Sequence, residues 1–182
     1  DLKLLSSHTT LDTKEVLSLI QSFSDTWFNL EQFDKGSFPK ITNKSEVEFK
    51  SEELERDLQK LKEELIRKEE ATNLFAQEKR QGSFKGIFNS IFQTVFGVDA
   101  YDSIEEKAAH LLYFVVKNHP FNDGNKRSAA FSFIWFLHKS KLDFTNKISP
   151  ETLTTLTVLI AQSPPDDREK MIGMILLLLN KR

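Results

Sequence analysis

Cysteine is absent from this sequence, and glycine, proline and long apolar runs are scarce. Without cysteine there is no disulfide, no thiolate zinc site and no thiol nucleophile, which fits a reducing, cytoplasmic compartment. Only 6 glycines and 5 prolines occur in 182 residues, which favours packed helices over many short strands. The longest apolar run, 171–179, is much shorter than the roughly 20 residues of a membrane span, so we expect no membrane segment.

An excess of one charge is also missing. The chain has 25 basic and 27 acidic residues and a net charge of −2, so it has no overall attraction for nucleic acid or for an anionic membrane. Apolar residues make up 39% of the chain, enough for one domain with a core, or for a domain with an arm. We therefore expect no nucleic-acid partner for this segment.

The N-terminal part reads as a helical arm. Asp12 and Glu15 have the spacing of a capping box, and the apolar stripe that follows places Phe23 and Trp27 on one helix face. Residues 36–50 form a polar linking segment that could contain a short strand. We assign residues 1–82 to an N-terminal helical extension and residues 83–182 to a core domain.

Residues 51–72 are highly charged, with a leucine stripe of 4-3-4 spacing. The stripe consists of Leu54, Leu58, Leu61 and Leu65. Such spacing is typical of a coiled-coil seam, which would form a homodimer or bind a partner. The alternative is an amphipathic helix packed on its own domain.

Phenylalanines follow one another at intervals of four after Gly82. The positions Phe84, Phe88, Phe92 and Phe96 favour a helix over a strand, and Gly97 would end it. We interpret these rings mainly as core. An aromatic docking site for a peptide is the alternative.

Side chains that can bind ligands or transfer protons cluster between two apolar, helix-patterned segments, 104–117 and 128–138. The stretch reads His119-Pro120-Phe121-Asn122-Asp123-Gly124-Asn125-Lys126-Arg127. Its Pro, Asn-Asp-Gly punctuation predicts a tight loop that enters a helix. Backbone N–H groups at a helix start attract phosphate, Gly124 permits close approach of a ligand, and Lys126 and Arg127 add positive charge.

His119 and Asp123 suit two further tasks at such a loop. A histidine can accept a proton near neutral pH. A single carboxylate beside phosphates suits Mg²⁺. Base, metal ligand and phosphate site together suggest transfer from a nucleotide, whereas the simpler alternative is a solvated helix-capping loop.

The nine residues from His119 to Arg127 resemble the signature of the Fic/Doc family, His-x-Phe-x-(Asp/Glu)-Gly-Asn-(Gly/Lys)-Arg. The flanking segments 105–112 and 133–137 also resemble that family's helices, so residues 83–182 are similar to a whole Fic core. The first 80 residues resemble the region before the Fic domain in RhuM-type virulence proteins. The resemblance implies an all-α, Fic-like helical bundle with a central motif helix and room for a small β-hairpin flap before it.

The resemblance also implies a reaction. His119 would deprotonate a Ser, Thr or Tyr hydroxyl of a target protein, and Asp123 would hold Mg²⁺. The backbone of Gly124 and Asn125, together with the side chain of Arg127, would bind the phosphates of ATP, the co-substrate. The most frequent chemistry in the family is protein adenylylation, in which AMP is transferred.

Two positions depart from the commonest AMP-transferring members. Lys126 replaces a glycine, and Ala130 replaces a second arginine. Both departures resemble the Doc branch, which contains a protein kinase, so phosphorylation is the alternative reaction. An arginine is a bidentate phosphate clamp and a lysine only a point charge. The resemblance further allows an antitoxin-like inhibitor as partner, and a catalytically weak protein-interaction module is the alternative from another class.

Overall fold

The computed structural model describes Gln21 and residues 49–180. Within these residues it contains six α-helices and one short β-hairpin. In chain order they are α1 (Ser51–Arg67), α2 (Ser83–Ser90), β1 (Thr94–Val95), β2 (Val98–Asp99), α3 (Ile104–Asn118), α4 (Asn125–Lys139), α5 (Pro150–Gln162) and α6 (Arg168–Leu179), with a 3-10 turn at Pro165–Asp167 before α6. The predicted helical fold with a small hairpin is therefore confirmed.

Most predictions for the N-terminal arm concern residues outside the described part of the chain. The helix expected to start at Asp12 lies outside the described residues apart from Gln21. Residues 36–48 of the polar segment that follows it also lie outside them. The division of the chain at residue 82 stays a prediction.

Helix α4 lies at the centre of the bundle. Its sequence is apolar on almost every side, and such a helix is stable when neighbours cover it all round. Its large side chains are at most 1% exposed: Phe131, Phe133, Trp135 and Phe136. Helix α3 packs most extensively against it, and α1 and α5 also contact it. The loop that precedes α4 is thereby attached to the most extensively buried helix of the described residues.

The leucine stripe of α1 faces the core of its own chain. Each of its leucines is at most 6% exposed: Leu54, Leu58, Leu61 and Leu65. The Nε1–H of Trp135 donates a hydrogen bond of 2.7 Å to Asp57 Oδ2, which links α1 to α4. The packed amphipathic helix is thus the alternative that the structure adopts, and the leucine face is not open to a second copy.

The phenylalanine repeat contains a helix only in its first half. Phe84 and Phe88 are buried in α2, but the helix ends at Ser90, so the prediction that Gly97 ends it was wrong. Gly97 instead forms, with Phe96, the two-residue turn between β1 and β2. Both residues have positive φ, 53° and 79°, as a type I′ hairpin turn requires. This hairpin is the small flap that the family resemblance implies before the motif helix.

Two helices begin at a serine cap. The Ser103 hydroxyl oxygen accepts the N–H of Glu106 at 3.0 Å before α3. Ser149 accepts the N–H of Thr152 at 3.1 Å, and Pro150 takes the first position of α5. Each cap satisfies a backbone donor that has no intrahelical partner.

Helix α6 docks on the bundle through Ile172, Ile175 and Leu179, which are at most 7% exposed. Its principal neighbour is α3. Across the described part of the chain, no helix has the length and apolarity needed to span a membrane.

Candidate active site

The stretch from His119 to Arg127 lies at the turn between α3 and α4 and in the first turn of α4. His119 follows the last residue of α3 and has left-handed backbone angles, φ 48° and ψ 59°. Five residues later, Gly124 has φ 79°, and α4 begins at Asn125. We call residues 119–124 the motif loop. Positive φ is unfavourable for a residue with a side chain, so surrounding contacts must hold His119 in place.

The side chain of Asn125 holds the motif loop from inside. Its Oδ1 accepts the N–H of Phe121, and its Nδ2 donates to the C=O of Phe121, both at 2.9 Å. The Phe121 ring is 2% exposed and packs on Phe84, with 5.1 Å between ring centroids. One amide therefore satisfies both backbone groups of a buried residue, which makes the side chain of Asn125 a positioning group.

The segment between α1 and α2, residues 68–82, braces the outer side of the motif loop, and we call it the connector. The N–H of Lys79 donates to the C=O of Pro120 at 2.9 Å. Asn122 makes two hydrogen bonds to Gln77, one between backbone groups at 2.8 Å and one between side chains at 2.9 Å. The loop is thus paired along its length with a second piece of backbone.

A close contact between Gly124 and the connector explains why this position is glycine. A Cβ added to Gly124 would lie 2.3 Å from Cδ2 of Phe75, whose ring is fully buried. The N–H of Ala76 also donates to the C=O of Asp123 at 3.0 Å, which fixes the two chains at this separation. Positive φ and the absence of space therefore both require glycine here.

A cavity of about 270 Å³ opens at the start of α4. The first turn of α4 has no capping side chain and no acidic residue. Its first N–H groups therefore lack intrahelical partners, and the helix dipole favours an anion beside them. We call this space the motif cavity, and its lining residues are His119, Asn122, Asp123, Gly124, Asn125, Lys126 and Arg127.

The imidazole of His119 is exposed at the edge of the motif cavity. Partial burial lowers its pKa below the ordinary 6.5, and the positive charges of Lys79, Lys126 and Lys117 lower it further. The ring is therefore neutral at neutral pH and able to accept a proton. Asn125 Nδ2 lies 3.5 Å from His119 Nδ1, at the outer limit of a hydrogen bond, and does not hold the ring in one tautomer.

Arg127 is held at the cavity by contacts on three sides. Its Nη1–H donates to the C=O of Glu70 at 2.9 Å, and its Nη2 lies 3.6 Å from Asp123 Oδ2. The guanidinium carbon lies 4.7 Å from the ring centroid of Phe75. Burial lowers its pKa, although Asp123 and Glu70 oppose that change. The guanidinium is thus a positioned cation, with little of the freedom of a surface side chain.

Asp123 offers one carboxylate to a metal ion. Its side chain is 50% exposed and lines the motif cavity. Within residues 49–180, no cluster of three or more His, Asp or Glu is placed to hold a metal. Mg²⁺ commonly takes one or two carboxylates and completes its shell with phosphate oxygens and water. The donor set therefore fits Mg²⁺ that arrives with a phosphate chain.

Comparison with known proteins gives the same assignment as the motif. Residues 51–137 match the Fic/DOC family. This chain contains a Fic/DOC domain. Members of the family are typically transferases and usually use a nucleotide and Mg²⁺. A Toxin Doc of Mycolicibacterium smegmatis is 51% identical over 45 residues, which are 25% of this chain. The match spans about a third, 35%, of that relative's length, and no solved structure matches the chain.

The Fic/DOC domain places every site residue expected from the sequence around one cavity: His119, Asp123, Gly124, Asn125, Lys126 and Arg127. Their roles stay predictions. The sequence did not indicate the part played by the connector, which supplies Phe75, Gln77 and the C=O of Glu70. The connector pairs with the motif loop through two isolated β-bridges, which produce no periodic pattern in the sequence. The one sequence signal for this contact was a phenylalanine, Phe75, in a polar stretch.

Proposed function

We propose that this Fic/DOC domain transfers AMP from ATP to a hydroxyl side chain of a target protein. The observation that carries the proposal is the set of groups around the motif cavity. It contains a neutral histidine, an uncapped helix start with two cations, and one half-exposed carboxylate. These groups match the three needs of the reaction: a base, a phosphate site and a ligand for Mg²⁺.

In this reaction His119 accepts the proton of the target hydroxyl as its oxygen attacks the α-phosphorus of ATP. The bond between that phosphorus and the oxygen bridging to the β-phosphate breaks, and pyrophosphate leaves. The N–H groups of Asn125 and Lys126 and the guanidinium of Arg127 stabilise the charge that develops on phosphate oxygens. Asp123 would hold Mg²⁺, which supplies further neutralisation of the phosphates.

The hairpin offers an edge where a target segment could dock, as a flap before the motif helix does in similar proteins. Val95 and Val98 are 54% and 63% exposed, and Phe96 at the turn is 100% exposed. An extended peptide could pair with the free backbone of either strand and cover these side chains. The base of the hairpin precedes the start of α3 and the motif loop follows its end, so a docked target would have to extend along α3 to present a hydroxyl to His119.

Phosphoryl transfer from ATP is the second candidate, and Ala130 favours it. This side chain is 1% exposed in the core, so α4 offers no second arginine to the phosphates. Lys126 adds a point charge in place of a bidentate clamp. A weaker grip on the β- and γ-phosphates would allow ATP to bind reversed, with its γ-phosphorus beside His119.

The decisive experiment incubates the chain with Mg²⁺, a cell lysate, and ATP labelled in parallel at the α- or the γ-phosphate. Label on protein from α-labelled ATP alone means AMP transfer, whereas label from γ-labelled ATP alone means phosphorylation. His119→Ala should abolish either signal while calorimetry still detects nucleotide binding. Transfer that survives in this variant would refute the assignment of the base.

Asp123→Ala tests the metal ligand in the same system. We expect it to weaken nucleotide binding in the presence of Mg²⁺ and to have little effect when the metal is chelated. Asp166→Ala is the matched control, because Asp166 is an exposed acid outside the motif cavity. Equal effects of the two substitutions would contradict the assignment. Protein binding with no His119-dependent label would instead support an interaction module.

A further inference from the structure

Three lysines lie within electrostatic reach of His119, and they come from three parts of the chain. Lys117 belongs to the last turn of α3 and Lys126 to the first turn of α4, whereas Lys79 belongs to the connector. The positive charge of each lowers the pKa of His119. The base is therefore surrounded by more positive charge than the phosphate site alone supplies.

Two of these lysines are fixed outside the motif cavity. The N–H of Lys79 donates to the C=O of Pro120, the residue after His119, at 2.9 Å. The Nζ of Lys117 donates to the C=O of Ser163 after the end of α5, a neutral partner that leaves the charge unbalanced. Neither lysine lines the motif cavity. We call Lys79 and Lys117 the flanking lysines, because one is paired with the residue after His119 and the other precedes it by two positions.

Nearby carboxylates do not neutralise the flanking lysines. Glu78, next to Lys79 in the connector, accepts the N–H of Phe84 in α2 at 2.9 Å. Asp123 of the motif loop lies 3.6 Å from Nη2 of Arg127. In the part of the chain that the structure describes, no carboxylate forms an ion pair with either flanking lysine. Their charges are thus open to a molecule that docks beside the base.

The target segment is the molecule that meets these charges. The phosphates of ATP would lie at the start of α4, beside Lys126 and Arg127. A target that docks on the hairpin extends along α3 to reach His119, and it passes Lys117 in the last turn of that helix. Side chains one to three positions from the hydroxyl lie roughly 3–10 Å from it along an extended chain. That is the range over which charges interact at physiological ionic strength.

We propose that the flanking lysines bind carboxylates of the target, so that the modified hydroxyl lies within three residues of an Asp or a Glu. This inference rests on the proposed function, since it names the class of target that the same site accepts. Ion pairs at a surface each change affinity only a few-fold. The flanking lysines therefore select among hydroxyls and do not hold the target by themselves.

Fluorescence anisotropy with the whole chain measures this preference without turnover. The probes are two fluorescein-labelled peptides, Gly-Glu-Glu-Thr-Glu-Glu-Gly and the same peptide with glutamine for each glutamate. At low salt the glutamate peptide should bind about tenfold more tightly, as expected for two exposed ion pairs, and added NaCl should reduce the difference. Equal affinities of the two peptides at low salt would overturn the proposal.

A second titration distinguishes the flanking lysines from the phosphate site. It is made in the presence of Mg²⁺ and a non-hydrolysable ATP analogue, which would fill the phosphate site. The preference for the glutamate peptide should persist under these conditions. A preference that the analogue abolishes would mean that the glutamates bind where phosphates do, and the proposal would be wrong.

Variants that remove one charge test the two lysines separately. Lys79→Met and Lys117→Met should each weaken binding of the glutamate peptide about threefold and leave the glutamine peptide unchanged. Lys117→Arg keeps the charge and should keep the preference. Lys141→Met is the matched control, because Lys141 is an exposed lysine beyond the far end of α4, about 22 Å along the helix from the motif loop. An equal effect of Lys141→Met would refute a local role for the flanking lysines.

Calorimetry with the ATP analogue and Mg²⁺ tests whether the same lysines serve the nucleotide. Lys79→Met and Lys117→Met should leave nucleotide affinity within about twofold of the unchanged chain, because neither residue lines the motif cavity. Losses as large for the nucleotide as for the glutamate peptide would assign the lysines to ATP and overturn the proposal.

Failure of this inference and failure of the proposed function give different results. If a target carries His119-dependent label but no acid within three residues of the modified hydroxyl, the inference is wrong and the transfer stands. If the glutamate peptide binds through Lys79 and Lys117 but no lysate yields His119-dependent label, the transfer is wrong. The flanking lysines then stand as a binding surface for acidic segments.

Discussion

The close approach of Gly124 to Phe75 allows the rigidity of the motif loop to be tested quantitatively. In Gly124→Ala the new Cβ would lie 2.3 and 2.4 Å from two carbons of the Phe75 ring. The ring is fully buried in a close-packed core and has nowhere to move. Overpacking of this kind costs about 1–3 kcal/mol, and a left-handed alanine adds about 1–2 kcal/mol. We expect the free energy of unfolding to fall by about 2–5 kcal/mol.

Two other glycines separate these contributions. Gly82 has φ 85°, and a Cβ added there would meet no atom within 4 Å, so Gly82→Ala should lose only the backbone part, about 1–2 kcal/mol. Gly86 lies exposed within α2, also with open space around it, so Gly86→Ala should stabilise by roughly 0.5–1 kcal/mol.

Urea denaturation followed by circular dichroism measures all three variants against the unchanged chain. The expected order of stability is Gly86→Ala, unchanged chain, Gly82→Ala, Gly124→Ala. If Gly124→Ala and Gly82→Ala were equally destabilised, the ring of Phe75 would not be pressed against the loop, and the reasoning would fail. Gly124→Ala should also weaken nucleotide binding, since the first turn of α4 would shift.

Three further predictions concern the positioning of the site. Asn125→Ala should lower the free energy of unfolding by about 2–4 kcal/mol, because the buried N–H and C=O of Phe121 lose their partners. The melting temperature should fall with it, and an unchanged melting temperature would contradict this prediction. Asp57→Ala should destabilise by about 1–3 kcal/mol in urea denaturation, because Trp135 Nε1–H loses its acceptor. Asp57→Asn keeps an acceptor oxygen and should lose less stability. Equal losses in the two variants would contradict the role of Asp57 as the acceptor for Trp135. Because the pKa of His119 lies below its ordinary value of 6.5, transfer activity should rise with pH, with the midpoint of the acid limb below 6.5. Lys79→Met should raise that pKa and move the acid limb to higher pH. An acid limb that stays in place would show that Lys79 does not lower the pKa of His119.

Much of the site was predictable because it is local in sequence. The six predicted site residues lie within nine positions, and the glycine and the helix start fix their relative placement. The central position of α4 was predictable for a similar reason, since a helix without a polar face must be covered on all sides. The caps at Ser103 and Ser149 are likewise local hydrogen bonds.

What sequence reasoning could not give depends on contacts between distant segments. Arg127 binds the C=O of Glu70, 57 positions away, and a backbone carbonyl leaves no trace in the sequence. The spacing of Phe92 and Phe96 continued a helical pattern, but α2 ends at Ser90 and the chain pairs with itself in a hairpin around the type I′ turn at Phe96 and Gly97. The leucine stripe of α1 was compatible with two partners, and only the fold shows that the chain's own core covers it.

The central claim is that His119 drives covalent transfer from a nucleotide to a protein hydroxyl, and mass spectrometry of a labelled target tests it most directly. The target would be recovered after incubation with ATP and Mg²⁺, digested, and its modified peptide sequenced by fragmentation. We expect a Ser, Thr or Tyr oxygen that carries the mass of AMP with the unchanged chain and carries no adduct with His119→Ala. An adduct formed equally by both proteins, or an adduct on a nitrogen, would contradict the claim.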